Sequence, residues 1–133
     1  MEGRKWAGVK SAILSDRLIE FAARMGKVVD ALSETGLGRH VAGQLIRCAT
    51  SCAPNYDEGC AAESRADFVH KLGICLKELR ECRTWIRLII RAELLSKRQM
   101  DGVLDECEQL GKIIAKSIVT AKQNRSRPKG ESS

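Results

Sequence analysis

From Phe68 to Ile89, apolar residues return at alternating intervals of four and three: Phe68, Leu72, Cys75, Leu79, Cys82, Ile86, Ile89. A strand cannot keep such a set on one face, because its side chains alternate with period two. A helix of 3.6 residues per turn gathers all seven into one heptad-like seam. A seam of that length must be covered, and its cover has to come from other helices. Ser64-Arg65-Ala66-Asp67 supplies a start signal, with an acid at the fourth position of a capping box. The segment is expected to run to Leu94 or Leu95.

Three further segments carry the same period. Leu18, Ala22, Met25, Val29 and Leu32 form one stripe, with Ser15 as the expected N-cap and Asp16 suited to the positive end of the helix dipole. Thr35-Gly36-Leu37-Gly38 reads as the following turn, where glycine can supply a positive φ. Val41, Leu45, Cys48, Cys52 and Tyr56 line a second helix from about Arg39 to Ala62. Pro54 falls inside it and predicts a kink or restart, because proline lacks the N–H and crowds the preceding turn. Ser96-Lys97-Arg98-Gln99 is another capping-box pattern. It opens a fourth helix with Met100, Val103, Cys107, Leu110, Ile114, Ser117 and Ala121 on its inner face. Acids at 101, 105, 106 and 108 precede Lys112, Lys116 and Lys122, an order that complements the helix dipole.

Short connections between helices of similar length predict an all-α, antiparallel, up-down four-helix bundle. It occupies residues 15–122, with a flexible segment 1–14 before it and a disordered basic tail 123–133 after it. At 133 residues the chain can bury a full core without a metal or disulfide staple. No run approaches the ~20 apolar residues of a membrane helix, and the first residues lack the apolar stretch of a signal peptide. A cytoplasmic protein with reduced thiols is expected.

The six cysteines contain no CxxC, and His40 and His70 stand at no zinc-ligand spacing from any pair. All but Cys60 fall on apolar stripes, where a thiol behaves as a small hydrophobe. No metal or other cofactor is expected. His70 and Asp67 lie one turn apart near Glu63, a spacing that any solvated helix face produces. With no nucleophile beside an orienting base and no Gly-rich phosphate loop, the chain reads as a non-enzyme.

Charge points to a binding role. The net charge is +6, part of it at the ends: Arg4, Lys5 and Lys10 against Glu2, and Arg125, Arg127 and Lys129 against Glu131. In the third helix Arg80, Arg83, Arg87 and Arg91 span an arc of roughly 80° beside the apolar seam, with Lys77 just beyond. Guanidinium forks suit phosphate oxygens. The competing reading is a face whose arginines pair with carboxylates of a neighbour, and Leu76 and Leu94 in the same arc favour partial burial. Glu78 and Glu81 point elsewhere on the helix. Trp85 borders the seam on the side away from the arginines, as a cover for the core or part of a subunit interface. Between Val41 and Tyr56 the only charged residue is Arg47, so the second helix is expected to be central or covered by another subunit.

Ser64, Ala66, Asp67, Phe68, Lys71, Lys77, Glu78, Glu81 and Trp85 stand in an order that resembles the bacterial four-helix-bundle proteins of 23S ribosomal RNA intervening sequences. Upstream, Gln44-Leu45-Ile46-Arg47, Thr50-Ser51, and Asn55 with Glu58-Gly59 resemble that family's motifs. Cys52, Cys82, Thr84 and Ile86 depart from them. The resemblance covers about residues 15–122. It assigns Arg47, Asn55, Glu58 and Trp85 to a structural or oligomer-interface role. Family members are similar in fold to the accessory protein of diversity-generating retroelements, a five-fold barrel that binds nucleic acid and engages a reverse transcriptase. The resemblance therefore implies a homo-oligomer, a pentamer; with the basic stripe, the expectation is an oligomer that binds RNA or DNA backbone through Arg80, Arg83, Arg87 and Arg91, with Lys77 and the basic tail assisting. Its alternative is a scaffold for a protein partner such as a reverse transcriptase.

Overall fold

The computed structural model describes residues 11–125. Four helices follow one another: α1 (Ser11–Ala31), α2 (Gly36–Cys60), α3 (Arg65–Arg91) and α4 (Lys97–Arg125). No strand occurs among the described residues. No described helix is long and apolar enough to cross a membrane. The sequence-expected basic residues at 4, 5, 10, 127 and 129 lie outside the described residues.

The seven-residue seam of α3 is buried throughout. The expected stripes of α2 and α4 are buried as well, except that Ser117 is only half-buried and returns its hydroxyl to the Ile113 carbonyl at 3.0 Å. In α1 the buried positions are Leu14, Leu18, Phe21 and Met25. Ala22 and Val29, expected on the stripe, are half-buried. The helices share one core, and no charged or polar residue among the described residues is buried in it. Each helix packs against its sequence neighbours, and α1 closes the ring on α4; the backbones of the diagonal pairs stay farther apart. The α2–α3 contact is the most extensive and the α1–α4 contact the slightest. Arg17 bridges that slight contact, its Nε and Nη2 donating to Glu106 at 3.1 and 2.8 Å.

Helix ends follow local chemistry, and four differ from the sequence expectation. α1 begins at Ser11, so Ser15 lies inside the helix rather than capping it; Leu14 extends the apolar stripe by one turn and carries the helix with it. Gly36-Leu37-Gly38 is the first turn of α2 rather than a loop, because the Thr35 hydroxyl accepts from the Gly38 N–H at 3.0 Å. Neither glycine has a left-handed φ; Gly38 is required for space, since a Cβ there would stand 2.1 Å from the Ser33 carbonyl oxygen. No restart occurs at Pro54: α2 is one helix, and the proline lies on its exposed face, where water can solvate the carbonyl left without a donor. α3 stops at Arg91, short of Leu94. Its end is a Schellman turn in which Leu94 N–H reaches the Ile89 carbonyl and Glu93 N–H the Ile90 carbonyl. Glu93 takes the left-handed position, φ 57°, usually given to glycine.

Of the two expected capping boxes, the one at Ser96 forms in full and the one at Ser64 as an N-cap, Ser64 accepting from the Asp67 N–H. Ser96 and Gln99 exchange backbone-to-side-chain bonds at 3.0 and 3.1 Å. α4 continues through residues 123–125, which were expected to begin the tail.

Candidate functional site

The α3 seam faces the core, which turns its two flanks toward different neighbours. On the α2 flank stand Glu78, Glu81 and Trp85. Arg47 of α2 reaches across to both acids, to Glu78 at 3.4 Å and more closely to Glu81. Glu81 also accepts from the Trp85 indole N–H at 3.2 Å. His40 meets Trp85 edge-on, with ring centroids 5.7 Å apart. The hydrogen bond from Arg47, with a further one from Trp85, holds the Glu81 carboxyl below its ordinary range despite some desolvation. About three turns further along α2, Glu58 pairs with Lys71 at 2.7 Å. Asn55 donates to the Ser51 carbonyl within its own helix. Three of the four residues assigned a structural or interface role, Arg47, Glu58 and Trp85, thus tie α2 to α3 or to a partner on the same flank.

The other flank carries the basic residues. Lys77, Arg80, Arg83, Arg87 and Arg91 are all exposed. Arg83 donates from Nε to Glu108 of α4 at 2.7 Å. That is the neighbour-helix pairing weighed against phosphate binding, and it holds for one arginine of the four. Such a half-exposed pair is worth at most about 1 kcal/mol, so a phosphate could compete for it. The side chains of Arg80, Arg87 and Arg91 make no hydrogen bond or ion pair among the described residues. Lys77 makes none either, but its charge acts on the Glu81 carboxylate one turn along α3. Arg47 draws Glu78 and Glu81 to the α2 flank, away from the three arginines.

Between this flank and α4 runs an open groove of about 360 Å³. Lys112, Gly111 and Ala115 of α4 line it opposite Leu76, Arg80 and Arg83. Sequence reasoning missed Lys112, because only the packing of α3 on α4 brings it beside the arginines. The legible signal was Gly111 and Ala115, two small residues one turn apart at the border of the inner face.

Five cysteines are buried and Cys60 is half-buried, as their place on the stripes predicted. The Cys48 and Cys82 sulfurs lie 3.2 Å apart. Desolvation pushes the Cys107 thiol up to about 12. The hydrogen bond with Cys48 and burial push Cys82 up as well. Cys107 and Cys82, held protonated, are poor nucleophiles and poor metal ligands, whereas hydrogen bonds from Cys75 and Cys82 lower the neighbouring Cys52 thiol against its burial. No group of three or more metal-ligating side chains occurs among the described residues. His70 and Asp67 are exposed and share no hydrogen bond.

These features define a small four-helix protein with one flank locked by ion pairs and one left basic. The chain belongs to the family described as 23S rRNA-intervening sequence protein, which it matches over residues 12–116. It is also similar to a crystallised protein of unknown function from the S23 ribosomal protein family of Bacteroides thetaiotaomicron VPI-5482. The two share 31% identity and a TM-score of 0.71, over 79% of this chain and 97% of that one. Among curated proteins nothing matches this chain.

Proposed function

We propose that this protein is a non-enzymatic, cytoplasmic, homo-oligomeric nucleic-acid-binding protein. Its four helices run antiparallel, up-down-up-down, and the basic flank of α3 grips the phosphate backbone of RNA or DNA. The observation that carries the reading is the set of three exposed arginines, Arg80, Arg87 and Arg91, without a partner among the described residues, with exposed Lys77 beside them. Their guanidinium groups fit phosphate oxygens bidentately. Contacts of this kind position a protein on a strand without reading its bases.

Antiparallel order is supported by the cross-helix neighbours, in which rising numbers on one helix meet falling numbers on the next: Arg47 with Glu81 and then Glu58 with Lys71, Leu76 beside Gly111 and then Leu79 with Cys107. Oligomerisation is supported by the outer face of α2, where exposed Gly43, Thr50 and Pro54 flank an Arg47 already engaged by two carboxylates. A pentamer is the state implied by the family's resemblance to a five-fold barrel. It would repeat one weak stripe several times on one particle and raise avidity without new contacts.

Charge reversal tests the reading. Arg80, Arg87 and Arg91 are changed together to Glu, and binding of a labelled 20-nucleotide RNA and its DNA equivalent is followed by fluorescence anisotropy. The reading expects affinity to fall by at least about 100-fold at low salt, since each lost phosphate contact removes counterion release. Unchanged affinity, or no binding by the unaltered protein to either strand, rejects it.

A further inference from the structure

The groove between α3 and α4 differs from the rest of the basic flank in having an apolar floor. Leu79 and Cys107 at its base are 1% and 2% exposed. Leu76 and Ala115 form half-buried walls. The mouth carries Arg80 and Arg83 on one side and Lys112 on the other, and the one lining carboxylate, Glu108, is engaged by Arg83. Arg80 and Lys112 make no hydrogen bond or ion pair among the described residues. The slot stays open because Gly111 carries no side chain: a Cβ there would reach only Leu76 Cδ1, at 4.0 Å.

We propose that this groove seats one unstacked nucleotide of a single strand, with the base against Leu76, Ala115 and the guanidinium plane of Arg80 and its phosphate between Arg80 and Lys112. This rests on the backbone-binding reading and deepens it: the protein would prefer single-stranded RNA or DNA to duplex. The occupant has to be amphipathic, anionic and flat, because cations on both rims stand over an apolar floor. A volume of about 360 Å³ lies at the small end of ligand sites. That suits one base and its sugar. A duplex keeps its bases stacked and could meet only the rim. Bases in single strands stack on arginine planes as well as on aromatic rings, and such contacts tolerate any base.

The test compares a labelled oligo-U 12-mer with a duplex of equal length at one salt concentration. It uses the unaltered protein, Gly111→Leu, and Lys112→Ala. The leucine fills the slot without touching a charge; Lys112 is exposed, so its alanine variant reports even if the leucine variant misfolds, which far-UV circular dichroism would show. The unaltered protein should bind the single strand about 10-fold more tightly than the duplex. Gly111→Leu should remove that preference, a loss on the scale of one base contact, and leave duplex affinity in place. Lys112→Ala should weaken the single strand several-fold and the duplex less. Equal affinities for strand and duplex in the unaltered protein, or a folded Gly111→Leu that keeps the preference, overturns the groove and leaves the backbone reading standing. Failure to bind either ligand removes both.

Discussion

Gly38 and Gly43 both lie in α2, five residues apart, and the structure predicts opposite effects for the same substitution. Helix propensity favours alanine over glycine by about 1 kcal/mol at either position. At Gly43 a new Cβ meets nothing within 4 Å, so Gly43→Ala should realise most of that gain. At Gly38 the Cβ would stand 2.1 Å from the Ser33 carbonyl oxygen and 3.1 Å from its carbon, both backbone atoms. No rotamer relieves that clash; the α1–α2 connection has to move by more than an ångström. The shift strains the core edge by about 1–3 kcal/mol, as overpacking does. It also pulls the Gly38 N–H from the Thr35 hydroxyl, 3.0 Å away, a cap worth about 1 kcal/mol. Set against the propensity gain, Gly38→Ala should destabilise by roughly 1–3 kcal/mol. Urea unfolding followed by helical circular dichroism measures both variants. A Gly38→Ala protein as stable as the parent would refute the packing described at this turn.

Glu93 holds a left-handed conformation that costs an L residue about 1–2 kcal/mol, partly offset in glycine by its greater unfolded-state entropy. Glu93→Gly should therefore raise stability by about 0.5–1 kcal/mol in the same assay. In a Trp6→Phe background, Trp85 emission should report protonation of Glu81, whose folded carboxyl is held down chiefly by its hydrogen bond from Arg47. The stabilisation from this network is complete above the unfolded carboxylate value of about 4.3 and is lost as pH falls through the lower folded value. An emission change centred at or above the ordinary glutamate value would contradict it. A thiol reagent applied to native protein should modify Cys60 first, because the other five are buried; faster labelling of any of those five would contradict the core assignment.

Period alone revealed most of the architecture. The α3 seam was legible because seven residues at alternating spacings admit no other regular structure, and the Ser64 cap and the Ser96 box were legible because their donors and acceptors lie within four residues. Boundaries failed where two local signals competed. Ser15-Asp16 looks like a cap, yet Leu14 continues the stripe upstream. The Gly36–Gly38 pair looks like a turn, yet a backbone carbonyl from the preceding loop is what excludes side chains at Gly38. Nothing about Glu93 announces a left-handed residue.

In the site, the arginine stripe and the opposite placement of Trp85 were legible from angles on one helix. The capture of Glu81 by Arg47, the Arg83–Glu108 pair and the arrival of Lys112 were not. Each joins residues 25 or more apart in sequence, or requires knowing which flank meets which neighbour.

The most direct measurement of the central claim is the affinity for a single-stranded RNA as a function of salt. If free cations on α3 neutralise phosphates, log Kd should rise linearly with log salt, with a slope of about 0.7 per contact on single strands. Exchanging Arg87 for Gln should lower that slope by about one contact's worth. A slope near zero, or one unmoved by the exchange, would mean that the basic flank of α3 does not hold the strand.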